Sequence, residues 1–390
     1  MELIDLFKIP GKDEEEKIKN RRKYLEENLG INLENVSKYS FALHELVGKN
    51  IENPIGAVQV PVGIAGPLLV HGKFANGYFY IPLATTEGAL VASISRGCKA
   101  VSKSGGVRVR ILKKGMARSV VFKLKSVENV EEFFDFVDKN FEKIKEIASS
   151  ESKHLNLLRV EKFAIGNKAY LRFVGDTGDA MGMNMLTIAC SRIADFIQQN
   201  FDAKLLSVSA NLCTDKKDSA INLLYGRGRS VTAEALIKKE VLEEVFRTTA
   251  REIAETAYSK VYLGSALAST IGGFNAHVAN VVTAMFIALG QDVAQVVESS
   301  MAITSVEAYG DDLYASIYMP SLEVATVGGG TGVATQSELL SILGCKGSGN
   351  ADKLAEIVAS ASLAGEVNLL AALATNELAK AHEKLGRSKK

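Results

Sequence analysis

The stretch from 120 to 207 admits few folds. VVFKLKS is rich in branched and aromatic residues and predicts a strand. VENVEEFFDFVDKNFEKIKEIASS carries apolar residues at helical spacing and predicts an amphipathic helix. LNLLRVEKFAIG and NKAYLRFVG predict two strands joined in a hairpin across Gly166–Asn167. MGMNMLTIACSRIADFIQQNF predicts a further helix, and AKLLSVSA a last strand. The order is β-α-β-β-α-β. Strands in that order can bury one face under two helices, which is the split βαβ of a ferredoxin-like domain.

The flanking regions differ in character. Residues 1–50 are charged, and DEEEKIKNRRKYLEENLG places acidic residues first, basic residues later and a Gly stop. That arrangement suits a helix dipole and predicts a small helical N-terminal segment. ENPIGAVQVPVGIAGPLLV is extended and punctuated by Pro and Gly. FANGYFYIPLA predicts an Asn-Gly turn and a strand. TTEGALVASISRGCKAVSK predicts a helix capped by Thr85 or Thr86, with Glu87 in its first turn. Residues 208–390 are Ala/Gly-rich with several long helical patterns. The expected units are therefore 1–50, then 51–119 together with 208–390, and 120–207 between those two.

Composition excludes several classes. A formal net charge of +1 creates no field for nucleic acid or a membrane surface. Cys98, Cys190, Cys213 and Cys345 form no CxxC pair, which fits a reducing compartment. His44, His71, His154, His277 and His382 form no HExxH, so no metal site is expected. The start of the chain lacks the apolar core of a signal peptide. The run 263–290 is long enough to span a bilayer. Asn275, His277 and Asn280 interrupt it, which predicts a helix buried in a globular core. The chain reads as soluble and cytoplasmic.

Several residues could do chemistry. In GDAMGMNM, Asp179 stands where an N-cap stands. Free N–H groups at such a helix start suit a pyrophosphate, and Gly178 and Gly182 let a ligand approach the backbone. The same residues also describe an ordinary capped helix with Met181, Met183 and Met185 as core. GGGTG at 328–332 lacks the third glycine of GxGxxG, so a dinucleotide here would bind outside a Rossmann fold; the triplet alone marks a tight turn. DKK at 215–217 is either a solvated loop or a paired, functional lysine among small apolar neighbours. Glu87 has no charged neighbour until Arg96, which suits a raised pKa and proton donation, or else a first-turn helix acid. Asp292 follows Gly290 and reads as a helix N-cap or a similar lone carboxylate, and His277 as a satisfied core histidine. His382 reads as a solvent-facing residue near a helix end.

Taken together, ENPIGAVQVPVGIAGPL, TTEGALVASISRGCKA, GDAMGMNM, TDKKDSAINLLYGRGRSV, IGGFNAHVANVVTA, GQDVAQ and TVGGGTG run in the order of a known family. The chain resembles class I hydroxymethylglutaryl-CoA (HMG-CoA) reductase of the soluble archaeal type. The resemblance implies an α+β fold: a small helical N-terminal segment, a large α/β domain around a long central helix, and the ferredoxin-like NADP-binding domain inserted in it. It implies two hydride transfers from NADPH that convert (S)-HMG-CoA, by way of a hemithioacetal and mevaldehyde, to mevalonate and CoA, the committed step of the mevalonate pathway. It also implies a homodimer, or a tetramer, with active sites between subunits.

The resemblance assigns roles by position. Lys216 would stabilise the developing oxyanion, His382 would protonate the departing thiolate, Glu87 would donate a proton to mevaldehyde, and Asp292 would lie close to both Glu87 and Lys216. Arg118, Ser209, Lys217, Lys260 and Asn280 resemble the pocket for the HMG group, and Ser93 and Arg96 the contacts to CoA. Asp179, Met181, Gly182, Met183 and Asn184 resemble the nicotinamide-dinucleotide turn, bordered by Gly328, Gly329 and Gly330. Ser152, Lys153 and Arg387 match the region of the 2′-phosphate. Lys153 stands where the family often has Arg, keeping the charge without the bidentate fork. An NAD-preferring degradative reductase and an inactive CoA-binding protein are the competing readings.

Overall fold

The computed structural model describes residues 6–375. It is a mixed α+β fold. Helix α1 (Glu14–Leu29) begins at Asp13, whose side chain accepts from the Glu16 N–H, and stops at Gly30 in the left-handed region. Strands β1 (Val62–His71) and β2 (Asn76–Ala84) form an antiparallel hairpin. Its turn is not the expected Asn76-Gly77, which lies at the start of β2. The chain reverses over Gly72–Ala75, because the buried Glu356 carboxylate accepts the N–H groups of Lys73, Phe74 and Ala75. A tertiary contact overrides the local turn signal there.

Helix α2 (Leu90–Lys103) also starts later than the sequence suggests. Thr85 Oγ1 accepts from the Glu87 N–H at 3.0 Å, so Glu87 lies in a turn ahead of the helix. The expected apolar surroundings of Glu87 are not observed: the residue is exposed in the single chain.

Strand β3 (Val107–Lys123) is the longest and belongs to two sheets. Its first part, Arg108–Gly115, pairs with β7 (Gly228–Ile237), and its second, Met116–Lys123, with β5 (Lys168–Asp176). Around the second part, with β4 (Asn156–Ile165) and β6 (Lys204–Ser207), the strand order is β4-β5-β3-β6 with every neighbour antiparallel. The hairpin across Gly166–Asn167 is present, and α5 (Met183–Asn200) follows it. The single long helix expected before the hairpin is two, α3 (Val130–Lys139) and α4 (Phe141–Glu151). They divide at Asn140, whose side-chain amide donates to the Phe136 carbonyl and ends the first. The first part of β3 joins β2-β1-β3-β7-β10-β9-β8, where β8 is Gly273–Phe274, β9 is Ala302–Tyr309 and β10 is Asp312–Leu322.

Each sheet has its own core. Phe122, Phe133, Phe173 and Ile193 anchor the smaller one. The larger one gathers around a central helix, Ala351–Ala374, packed against strands that carry core residues such as Val109, Val231 and Ile317. Among the described residues this is the one helix long and apolar enough to cross a membrane, and it lies mostly inside the fold. The run 263–290 is not one helix: it contains β8 and a shorter buried helix, Val278–Ala288. Glu366 of the central helix accepts the N–H groups of Ala276 and His277 and the Thr304 hydroxyl, tying that entry loop down.

Helix α2 crosses the central helix at Gly97. A β-carbon there would stand 1.9 Å from the Ala364 carbonyl oxygen, a backbone atom that cannot step aside. Gly97→Ala should therefore lower stability by about 1–3 kcal/mol through overpacking. The check is the urea midpoint of unfolding at constant m-value; an unchanged midpoint would contradict this crossing.

Candidate active site

At the seam between the two sheets lies a cleft of about 850 Å³. One wall is the turn between β5 and α5. Gly182 immediately precedes α5 with φ 94, and a β-carbon there would meet the Thr177 side chain at 2.2 Å. No side chain caps this helix start, and its first three residues line the cleft. The expected cap, Asp179, does other work. Its carboxylate accepts from Gly349 N at 2.7 Å and Ala351 N at 3.0 Å, at the start of the central helix, and its carbonyl accepts from Thr326 N. Met181 and Asn184 line the cleft. Met183 lines it too but is buried, with its sulfur accepting from Arg227 Nη2 at 2.6 Å. Gly328, Gly329 and Gly330 form the opposite wall; Gly328 and Gly329 have φ of 76 and 54 and open space where a side chain would stand.

The DKK loop enters from one side. Asn211, Thr214 and Lys216 all have left-handed backbone, φ 59, 58 and 57, a conformation that side-chain-bearing residues hold only when their surroundings impose it. Lys216 Nζ lies 3.1 Å from Asp292 Oδ2, with the two side chains 45% and 34% exposed, so the lysine is paired but not buried. Asp292 also accepts from Ala294 N, capping a short turn as its sequence suggested. Lys217 is exposed and donates to the Asp215 carbonyl. Arg118, from β3, lines the cleft with Nη1 3.9 Å from Asp215 Oδ2.

Beneath the loop lies a cluster that sequence reasoning missed. Arg227 is fully buried and donates to Glu298 Oε1 at 2.7 Å, to Glu323, and to Asp215 Oδ1 at 3.1 Å. Glu298 and Glu323 are buried as completely. Burial pushes the Glu298 carboxyl up, and pushes Glu323 well above the usual carboxylate range despite the guanidinium beside it. Burial pulls Arg227 down, but Glu323, Asp215 and Glu298 outweigh it and leave the guanidinium above its ordinary value. The arrangement is a buried cation shared by three carboxyl groups. Three carboxyl groups within 4.8 Å of one another could cage a metal ion, but here the guanidinium is the cation that pairs with all three. The signal was legible in part: Glu323 is the lone charge of YMPSLEVATV, the criterion that singled out Glu87.

The remaining expected residues fall elsewhere in the single chain. Asn280 Nδ2 donates to Glu87 Oε1 at 3.3 Å, and Asn368 Nδ2 to Ser93 Oγ at 2.6 Å. Arg96 donates to the Val245 carbonyl and stacks over Phe246. Lys260 lies exposed on the helical turn Tyr258–Gly264. None of the five expected residues, Glu87, Ser93, Arg96, Lys260 and Asn280, lines the cleft, so Asp292 meets Lys216 there without Glu87. Ser209 is exposed beside β6, its N–H donating to Ser207 Oγ. Ser152 and Lys153 occupy the turn after α4, also outside the cleft lining. His382 and Arg387 lie outside the described residues.

Comparison with known proteins gives one answer. Residues 17–387 match the family model for hydroxymethylglutaryl-coenzyme A reductase. The chain is 52% identical over 374 residues to 3-hydroxy-3-methylglutaryl-coenzyme A reductase of Aeropyrum pernix, covering 94% of this chain and 89% of the relative. It is 50% identical over 375 residues to the Pyrococcus abyssi enzyme of the same name, covering 94% and 92%. Among solved structures, a class II 3-hydroxy-3-methylglutaryl-CoA reductase from Streptococcus pneumoniae bound to NADPH is similar in fold, with a TM-score of 0.69 at 19% identity over 91% of this chain and 96% of that one. The chain belongs to the hydroxymethylglutaryl-coenzyme A reductase family.

Proposed function

We propose that this chain reduces HMG-CoA to mevalonate and CoA with NADPH, as a class I enzyme of the mevalonate pathway. The observation that carries the reading is Lys216, held 3.1 Å from Asp292 at the edge of a cleft whose other walls are a glycine-flanked helix start and a glycine turn. The cleft fits a dinucleotide on physical grounds. It has the size of a cofactor pocket, uncapped N–H groups at the start of α5 that suit a phosphate, and glycines with open space beside them. Met181, Gly182, Asn184 and Gly328–Gly330 would hold the cofactor, and the ferredoxin-like unit formed by β3–β6 would be its domain. Bound NADPH supplies the hydride.

The chain's own residues do the rest. The Lys216 ammonium would face the thioester carbonyl oxygen and stabilise the charge that builds there, a contribution of roughly 3–4 kcal/mol for one well-placed donor. Asp292 orients that ammonium. Arg118, Ser209 and Lys217 would bind the HMG group from the same side. Glu87 and Asn280, which share a hydrogen bond, lie outside the cleft, as do Ser93, Arg96 and Lys260. We read the residues inside and outside the cleft as complementary halves, joined when two copies associate, so that Glu87 of one copy donates its proton opposite Lys216 of the other. His382 would protonate the leaving thiolate, and Lys153 with Arg387 would favour a 2′-phosphate.

Two measurements test this. Lys216→Ala should lower kcat for HMG-CoA-dependent NADPH oxidation by about 10²–10³-fold, and near-normal turnover would remove the lysine from the chemistry. For the unchanged chain, kcat/KM should be higher with NADPH than with NADH; the reverse order favours the NAD-preferring degradative type.

A further inference from the structure

Lys216 owes its position to its backbone, and that backbone is left-handed, φ 57. One buried contact holds it there. The Lys216 N–H donates to Glu298 Oε1 at 2.8 Å. Glu298 is wholly buried on the short helix Val296–Ser299, and the same oxygen accepts from Arg227 Nη1 at 2.7 Å. Arg227 is fixed in turn by Glu323, by Asp215 Oδ1 and by the sulfur of Met183 at the start of α5. Asp215 also accepts from Gln295 Nε2 at 3.3 Å. The two residues at the tip of the loop are thus gripped separately, Asp215 by its side chain and Lys216 by its N–H. At its far end the Lys216 side chain meets Asp292.

We propose that Glu298 is a positioning residue for this reductase: its oxygen clamps the left-handed backbone of Lys216, with Arg227 holding the clamp, so that the ammonium stays beside Asp292 and faces the cleft. The action lies in the place of an acceptor oxygen, not in its charge. Glutamine keeps that oxygen in reach and loses the charge. Aspartate keeps the charge and withdraws the oxygen by one methylene. A merely structural ionic role would rank the two variants the other way.

The proposal rests on the reductase reading, so its test pairs a kinetic with a non-kinetic readout on the full chain. Glu298→Asp and Glu298→Gln are compared for NADPH oxidation with HMG-CoA, and for amide hydrogen exchange of the peptide spanning 213–218. Glu298→Asp should lose about 10- to 100-fold in kcat, the scale of a small misplacement, with KM for both substrates changed less than about 3-fold. Its Lys216 amide should exchange faster. Glu298→Gln should stay within about 3-fold of the parent in kcat and keep slow exchange. A Gln variant that loses more than the Asp variant, or a Lys216 amide indifferent to Glu298→Asp, overturns the proposal. If the unmutated chain does not oxidise NADPH, the reductase reading fails, and the exchange measurement still decides whether Glu298 clamps Lys216.

Discussion

One strand ties the molecule together. β3 begins in the sheet around the central helix and ends in the sheet covered by α3, α4 and α5, changing partners between Gly115 and Met116. Gly115 pairs with Gly228, the residue after Arg227. The seam between the sheets is therefore also the place where Arg118, Arg227 and the DKK loop converge. A continuous strand leaves the two sheets little freedom to separate at that point, because its backbone hydrogen bonds belong to both. The cleft follows from this geometry: neither sheet alone has both walls.

The seam is filled with charge where a core would hold apolar side chains. A buried guanidinium is costly alone, and so is each buried carboxylate; pairing offsets much of that cost, though Arg227 Nε, Glu298 Oε2 and Glu323 Oε2 have no hydrogen-bond partner among the described residues. Removing a single partner from such a set typically costs about 3–5 kcal/mol, because it strands the others. Burial pushes the Glu323 carboxyl well above the usual carboxylate range, which favours its neutral form and reduces the negative charge beside Arg227. This buried set also reaches the cleft. Its members touch the Lys216 backbone, Asp215 and Met183, which belong to two different walls of the cleft. Lys216 and Asp292, at the cleft, are partly exposed; Arg227, Glu298 and Glu323 beneath them are buried.

The order of elements from β3 to β6 could be read from periodicity, since each apolar face there answers to a local core. What could not be read were features set by distant contacts. The β1–β2 turn moved because Glu356, far along the chain, captures three of its N–H groups. Asp179 looked like the cap of α5 and caps the central helix instead, a partner invisible to local spacing. Glu87 is the lone charge of TTEGALVAS, yet α2 begins only at Leu90 and leaves the carboxylate exposed. The same reasoning would have been right at Glu323, where the end of the preceding strand, residues 319–322, is buried on both faces. Arg227 gave no local sign, since GRGRS reads as a glycine-rich turn. Motif order, by contrast, carried the family without any of these details.

If two copies of this chain each supply half of a reductase site, Lys216 with Asp292 from one and Glu87 with Asn280 from the other, separately inactive variants should restore one another. The most direct measurement mixes two separately inactive variants, Lys216→Ala and Glu87→Gln, under conditions that exchange subunits, and follows HMG-CoA-dependent NADPH oxidation. In the mixed dimer one site has both halves intact and the other has neither, so an equal mixture should recover about a quarter of the parent activity. If subunits exchange and no activity returns, the two halves do not meet across copies, and the account of the site is wrong.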